Sequence, residues 1–328
     1  MSELSVLPEN IPLPWLETLP AGVRELFDQS GADNSQRAYR ADLIVFLEWC
    51  KVHDVTPLPC TPLNLIKFLE EQSDGFAMST VSRRASSISW LHRRAGFLGD
   101  DNPRLSGIVS EGIRLLKRRH RDRRQKQSKE LTTGIVRETM KECQEDKNVA
   151  KGMRDRALIL IGFASAMRRS ELVRVDVNDL NFVLEGLEIL IPYSKTDQEG
   201  KGHVVRIARG QVPLTCPVEA LREWLNYTGI IEGPVFRRVR KNGKIGPSLS
   251  DWTVWDIIKT RMKQLGLKNW DEFAGHSMRS GFASTAADNG ASLQAIKTQG
   301  NWKSDDSLLR YIRNKEDWDN AASYKLGL

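Results

Sequence analysis

Residues 154–174 read RDRALILIGFASAMRRSELVR. No residue from Ala157 to Met167 is charged. That run falls short of the roughly 18 to 20 apolar residues that span a bilayer, so it predicts a buried core helix. The helix is expected to run from Arg154 to Arg174. Arg168 and Arg169 follow the apolar run directly. A buried guanidinium without a partner is costly, so these arginines call for one. Glu171, three residues after Arg168, can share a helical face with it. Taken alone, the pattern is equally an ion pair capping a core helix.

The residues around this helix read as a mixed domain beginning near Thr132. Leu187 to Ser194 and His203 to Arg209 are strand-like, joined by a turn-rich stretch over residues 197–202. Pro217 to Tyr227, Ser250 to Gly266, Ser277 to Asn289, Leu293 to Gln299 and Asp305 to Asn314 have helical patterns. Upstream the text is helical throughout. Ser35 precedes Tyr39, Leu43, Phe46, Leu47 and Cys50, which recur at helical spacing. Thr61-Pro62 opens a second helix with Leu65, Ile66 and Leu69 on one face. Ser79 to Gly96 forms a third, closed by its glycine, and a fourth starts near Ser106. The expected fold is mainly α with two domains. An all-α domain covers residues 19–125, and an α+β domain with a small antiparallel sheet covers 132–328. Residues 1–18 hold three prolines and no basic residue, and are expected to be a flexible arm.

The 328 residues carry 49 Lys and Arg against 42 Asp and Glu, a net charge of +7. The balance favours a polyanionic partner. Residues 1–130 hold 19 basic and 17 acidic side chains, and the rest hold 30 and 25, so the excess is spread over both domains. The stretch at 117–126, KRRHRDRRQK, has seven Lys or Arg in ten positions. By itself it is also a plain solvated helix end. Placed at the domain junction, with a connector expected over 126–131, it suits a chain that tracks phosphates on a duplex. Cys50, Cys60, Cys143 and Cys216 are widely spaced, as in a reduced cytoplasmic protein. The five histidines form no pair at metal-ligand spacing. There is no secretory leader pattern at the N-terminus, and no P-loop, GxGxxG or HExxH.

Further features stand beside the Arg168–Glu171 pair. Lys195 lies where a strand gives way to a turn. His276 and Arg279, at i and i+3 on a helix start, point the same way, and such an N-terminus attracts phosphate. Gly300-Asn301-Trp302 is followed nine residues after Trp302 by Tyr311. Each has a bland reading: a solvated lysine, a capping histidine, a core tyrosine. Together they are what phosphoryl transfer through tyrosine needs. Arginines hold the non-bridging oxygens and the charge that builds on phosphorus. Tyrosine attacks to give a covalent intermediate. Lysine protonates the leaving 5′ oxygen, help worth about 10²–10⁴-fold. This chemistry requires no cofactor and no metal.

The order Arg, Lys, His-x-x-Arg, Trp, Tyr resembles the tyrosine site-specific recombinases, the phage integrase family. Ser165 to Leu172 is similar to that family's first arginine box, with Ala166-Met167 in place of its glycine-leucine. Trp302, the stretch Leu91 to Gly96 and the stretch Phe236 to Gly243 resemble the Cre-like branch. The likeness covers about residues 20 to 320. It implies that Tyr311 is the nucleophile and that Arg168, Lys195, His276, Arg279 and Trp302 are catalytic. Arg168 takes the first arginine's place because the family spaces it three residues before the acid, and Glu171 orients its neighbours. By the same likeness, Arg238, Arg240 and Lys241 fall at DNA, and Arg83 and Arg84 are candidate groove contacts. Ser79 stands at the branch's minor-groove lysine, and Ser250 to Trp255 lacks its guanine-reading arginine, which implies another target sequence. The tail with Trp318, Ala321, Ala322 and Leu326 resembles a helix docked into a neighbouring subunit, and Tyr324 within it is spaced wrongly for the nucleophile.

The resemblance implies a cytoplasmic, nucleoid-associated enzyme. It would be a monomer or weak oligomer when free, and a homotetramer on two inverted-repeat sites of double-stranded DNA. It would work through a Holliday junction, with each protomer clamping the duplex between two domains. No membrane is involved. Two other readings use parts of the same sequence. A type IB topoisomerase shares the chemistry, and residues 294–310 could form the helix-turn-helix of a regulator that does not cut. The basic excess makes one expectation measurable. DNA affinity measured against salt should fall on a log–log plot with a slope of about −0.9 per phosphate contact. A slope near zero would remove the clamp.

Overall fold

The computed structural model describes residues 34–122, 128–192, 202–312 and 323. The chain divides into two compact units, residues 1–126 and 127–328. The arm at 1–18, the basic residues 123–126, Lys195 and the tail positions Trp318, Ala321, Ala322, Tyr324 and Leu326 lie outside the described residues.

The first unit is built from α1 (Asn34–Val52), α2 (Pro62–Gly75), α3 (Met78–Arg94) and α4 (Gly107–Arg119). The Thr61 hydroxyl caps α2 by accepting from the Asn64 N–H at 3.2 Å, and Pro62 fills a position that needs no donor. Gly96, at φ 88°, supplies the left-handed turn after α3. Apolar positions of the helices meet in one core around Phe46, Leu65, Phe68, Ile88 and Leu91. His92 is buried there. Its Nε2 accepts from the Cys60 N–H and its Nδ1 lies 2.8 Å from the Ile88 carbonyl, while burial lowers its pKa. The ring is therefore a neutral structural group.

Asp42, 2% exposed, organises the junction of α1 and α3. Arg83 donates to both its oxygens at 2.9 and 3.0 Å, and Ser87 adds a third bond. Arg84 is 6% exposed, bonded to Gln72, and seated 4.0 Å over the Phe76 ring. Its guanidinium is enclosed by Gln72, Phe76 and Asp42, which leaves little of it open to a ligand. Arg83, half exposed, keeps one open face.

The second unit begins earlier than the expected connector allows. Lys129 and Leu131 donate backbone bonds to Glu272 and Ser277, and Leu131 is fully buried. Then follow α5 (Thr133–Gln144), capped by Thr132, and α6 (Val149–Ser165). The expected helix over 154–174 is broken. Ala166 adopts φ 54°, and α7 (Arg169–Leu172) restarts as a single turn. Left-handed backbone costs an L-residue roughly 1–2 kcal/mol, so something must hold Ala166 there.

Strands β1 (Leu180–Phe182), β2 (Gly186–Ile191) and β3 (His203–Ala208) form an antiparallel sheet in that order. Ile189 pairs with Val205 and Leu187 with Ile207, and all four are buried in the core that contains α6. After α8 (Pro217–Thr228), β4 (Arg237–Val239) and β5 (Ile245–Ser248) make a hairpin. That hairpin and β1 are too short to show alternation in sequence. Helices α9 (Asp251–Gln264), α10 (His276–Asp288), α11 (Leu293–Gln299) and α12 (Asp305–Leu309) complete the unit. The helix expected over 305–314 ends at Leu309, leaving Tyr311 on a turn. The architecture is mainly helical with small antiparallel sheets, as the sequence implies. No helix among the described residues is long and apolar enough to cross a membrane.

Arg261, with no exposed surface, ties α9 to α5 and α6. Its Nε donates to Asp155 at 2.8 Å, its Nη1 to both Glu142 oxygens and its Nη2 to Asp146 at 2.7 Å. Glu142 and Asp146 thus depend on this cation, and Asp155 shares it with the buried Arg154. Removing one partner of a buried ion network costs about 3–5 kcal/mol. Arg261→Met should lose that much in chemical denaturation of the intact chain. A loss under 1 kcal/mol would mean the carboxylates find other partners.

Candidate active site

The break at Ala166 brings two distant segments together. The Ala166 carbonyl, turned out of the helix ladder, accepts a bond from Nη1 of Arg279, one turn into α10. The same break places Arg168 at the N-cap of α7. Glu171 holds it twice, taking the Arg168 N–H at 2.8 Å and its guanidinium at 2.6 Å. Glu171 is 7% exposed, so this is a rigid pair rather than a surface one.

Arg279 is 3% exposed and sits over an indole, its guanidinium carbon 3.8 Å from the centre of the Trp302 ring. Tyr311 is the next ring, 5.7 Å from the same carbon and edge-on to Trp302 at 5.5 Å. The His276 ring stacks parallel to Tyr311 at 6.5 Å, 10° between planes. Five side chains from α7, α10 and the two turns around α12 therefore form one cluster. Lys195 is the one member of the expected six outside the described residues.

Electrostatics follow from burial and like charge. Burial, reinforced by the Arg168 charge, lowers the Arg279 pKa to about 10, so it stays cationic at neutral pH. Burial lowers the His276 pKa too, and Arg169, Arg279 and Arg168 add to this. His276 is thus neutral and able to take a proton. The site concentrates positive charge in a partly dry place, which suits a transition state gaining negative charge.

Among the described residues, one donor in this site has no partner. The Trp302 indole N–H is buried and makes no hydrogen bond to any of them. A buried N–H without a partner costs about 1–3 kcal/mol unless a ligand satisfies it. The indole is fixed from several sides that sequence reasoning missed. Gly300 lies so close that a Cβ there would come within 1.8 Å of the ring. Asn301, at φ 50°, sets its Nδ2 3.3 Å from His203 Nδ1 on β3. Gln299 donates to the Ala164 and Arg206 carbonyls at 3.1 and 2.8 Å. Ser284 anchors the Tyr311 carbonyl at 3.1 Å. The signal available in sequence was the Gly300-Asn301 pair, which marks a tight turn.

The family pattern described as phage integrase matches residues 129–317. A relative in Selenomonas ruminantium, an integrase/recombinase xerD homologue, is 36% identical over 311 residues, 93% of this chain and 89% of its own. The chain belongs to the phage integrase family. It is a tyrosine recombinase, an enzyme that cleaves and rejoins DNA strands. The recombinase cre of Escherichia phage P1 is 25% identical over 343 residues, 98% of this chain and 97% of that one. The Tn1549 transposon integrase with transposon right end DNA shares the fold. Its TM-score is 0.63 at 14% identity, over 93% of this chain and 98% of its own length. These relatives are recombinases, which sets aside the topoisomerase and regulator readings.

The three basic residues expected at DNA sit on the β4–β5 hairpin. Arg238, Arg240 and Lys241 are all exposed. Asn148 clasps the tip, donating to the Arg240 and Lys241 carbonyls at 3.0 and 3.3 Å, so the side chains project from a fixed turn.

Two substitutions separate the indole's placement from its proton. Gly300→Ala should push the ring aside and slow Tyr311 adduct formation about 10²-fold, as a misplacement near 1 Å does. Trp302→Phe keeps the ring face and loses the donor, and should slow the same step about 10- to 100-fold. Adduct rates equal to wild type in both would remove Trp302 from the site.

Proposed function

We propose that this chain is a site-specific recombinase that cuts one strand at a time through a 3′-phosphotyrosine intermediate. The unpartnered indole N–H of Trp302, beside the Arg279 guanidinium and the Tyr311 ring, carries this reading. A non-bridging phosphate oxygen is the acceptor that these donors lack. Arg168 and Arg279 offer the remaining donors. Glu171 holds Arg168 in place, so the pocket is formed before substrate arrives.

In the first step the Tyr311 oxygen attacks phosphorus. The Tyr311 O–P bond forms, the P–O5′ bond breaks, and the strand leaves with a free 5′ hydroxyl. His276, neutral and stacked on the phenol, takes the tyrosine proton. Lys195 supplies the proton to the 5′ oxygen. The phosphotyrosine keeps the bond energy, so a 5′ hydroxyl from a partner strand reverses the step and joins the exchanged strands. Repeating this on the second pair of strands passes through a Holliday junction. Four protomers on two inverted-repeat sites supply the four tyrosines that this sequence of cuts requires, and the tail beyond Tyr311 is the segment that docks them.

The hairpin residues Arg238, Arg240 and Lys241, with Arg83 in the first unit, contribute phosphate contacts. Arg84, spent on Asp42, Gln72 and Phe76, contributes to the domain core instead. Acting on DNA, the protein works in the cytoplasm at the nucleoid.

A covalent trap tests the proposal. Nicked duplexes cut from the source genome are mixed with the wild-type protein or with Tyr311→Phe, and DNA that survives denaturant is sequenced. Adducts confined to the wild-type protein, at one position within a shared inverted repeat, are expected. Adducts that persist with phenylalanine would refute Tyr311 as nucleophile. Adducts on unrelated sequences would refute site specificity.

A further inference from the structure

Arg169, the neighbour of the catalytic arginine, touches three elements at once. It opens α7 directly after Arg168. Its aliphatic stem lies flat on Gly275, the residue before His276. A Cβ on Gly275 would stand 2.5 Å from the Arg169 Cδ, 3.1 Å from its Cγ and 3.4 Å from its Nε. Its Nη2 reaches Asp251, the first residue of α9, at 3.5 Å. Both side chains are about one-third exposed, at 31% and 30%, so the ion pair by itself stabilises little. The packing on Gly275 is what fixes the arginine. Gly275 is glycine because any side chain there would displace the stem.

The guanidinium is thereby held beside the catalytic imidazole. His276 faces Arg168 and Arg169 from α7, Arg279 from its own helix, and the Tyr311 ring from the turn after α12. Glu171 reaches it through Arg168, and Asp251 through Arg169. After burial, Arg169 is the strongest of these influences on the His276 charge, ahead of Arg279 and Arg168. Arg279 and Arg168 are aimed at substrate and will be neutralised when a phosphate arrives. Arg169, already paired with Asp251, keeps its place.

We propose that Arg169 is a positioning residue for His276. Its stem fixes the backbone corner at Gly275, and its guanidinium, steadied by Asp251, stands as a permanent positive charge beside the imidazole. This rests on the reading that His276 takes the Tyr311 proton. Its effect is to keep the imidazole neutral after the phosphate has cancelled the charge of its other two arginine neighbours.

The test uses the intact protein without DNA. Histidine ring carbons are labelled, the five resonances are followed by NMR across pH, and His276→Gln identifies the one in question. Arg169→Met keeps the stem and loses the charge, while Arg169→Lys keeps the charge. The His276 midpoint should move up in Arg169→Met and stay near wild type in Arg169→Lys. Arg169→Gln, a second neutral variant, should repeat the methionine result. The acid limb of adduct formation on duplexes recovered by the trap should move up with the midpoint. A midpoint unmoved or lowered in both neutral variants would overturn the proposal. So would a uniform loss of adducts at every pH with no shift, which is what a purely structural role gives. The titration needs no DNA. If the midpoints move as expected and the wild-type protein forms no Tyr311 adduct, the cleavage reading fails and the charge coupling at Gly275 stands.

Discussion

Everything in the catalytic unit depends on one backbone carbonyl. Ala166 leaves the α6 ladder in a left-handed conformation, and its freed oxygen is taken by the buried Arg279. The bond satisfies two groups that would otherwise be costly: an orphan carbonyl at a helix end and a desolvated guanidinium. It also welds residues 113 positions apart. Without the break, Arg168 would continue along α6 on another face, and Glu171 could not hold it at an N-cap. The strain at Ala166 and the burial of Arg279 are thus offset by one another, and the site exists where they meet.

Most of the fold was legible because its helices obey simple rules. Thr61-Pro62, Thr132 and Gly96 act as caps where their chemistry says they should. The break at Ala166 was not legible, since alanine carries no turn signal and the apolar run continues through Met167. Nothing in periodicity reveals a carbonyl reserved for a distant arginine. β1 and the β4–β5 hairpin, at three or four residues per strand, leave too little alternation to read. Tyr311 falls beyond α12 because the helix stops at Leu309 and the chain turns to meet Ser284.

The site divides in the same way. The side chains proposed to meet the substrate are chemically unusual for their surroundings, so Arg168, His276, Arg279, Trp302 and Tyr311 stood out in the sequence. The residues that hold them are ordinary. Gln299, Asn301, Ser284 and Gly275 act through backbone carbonyls, a close approach or a turn, and residue type alone does not announce such work. Arg83 and Arg84 are a sharper case. They are adjacent and identical and both reach Asp42, yet Arg83 keeps about half its side chain in solvent while Arg84 is buried against Gln72 and Phe76, so a single residue step separates a half-exposed cation from a core one.

The segment at 129–131 has a mechanical meaning. Its N–H groups bind the Glu272 and Ser277 carbonyls, and the Leu131 carbonyl presses on α10 so closely that a Cβ at Gly281 would sit 2.0 Å from it. The segment that opens the second unit is therefore riveted to the helix that bears His276 and Arg279. Any displacement of residues 129–131 therefore bears directly on the first turn of α10, at the carbonyl of Ser277 between His276 and Arg279.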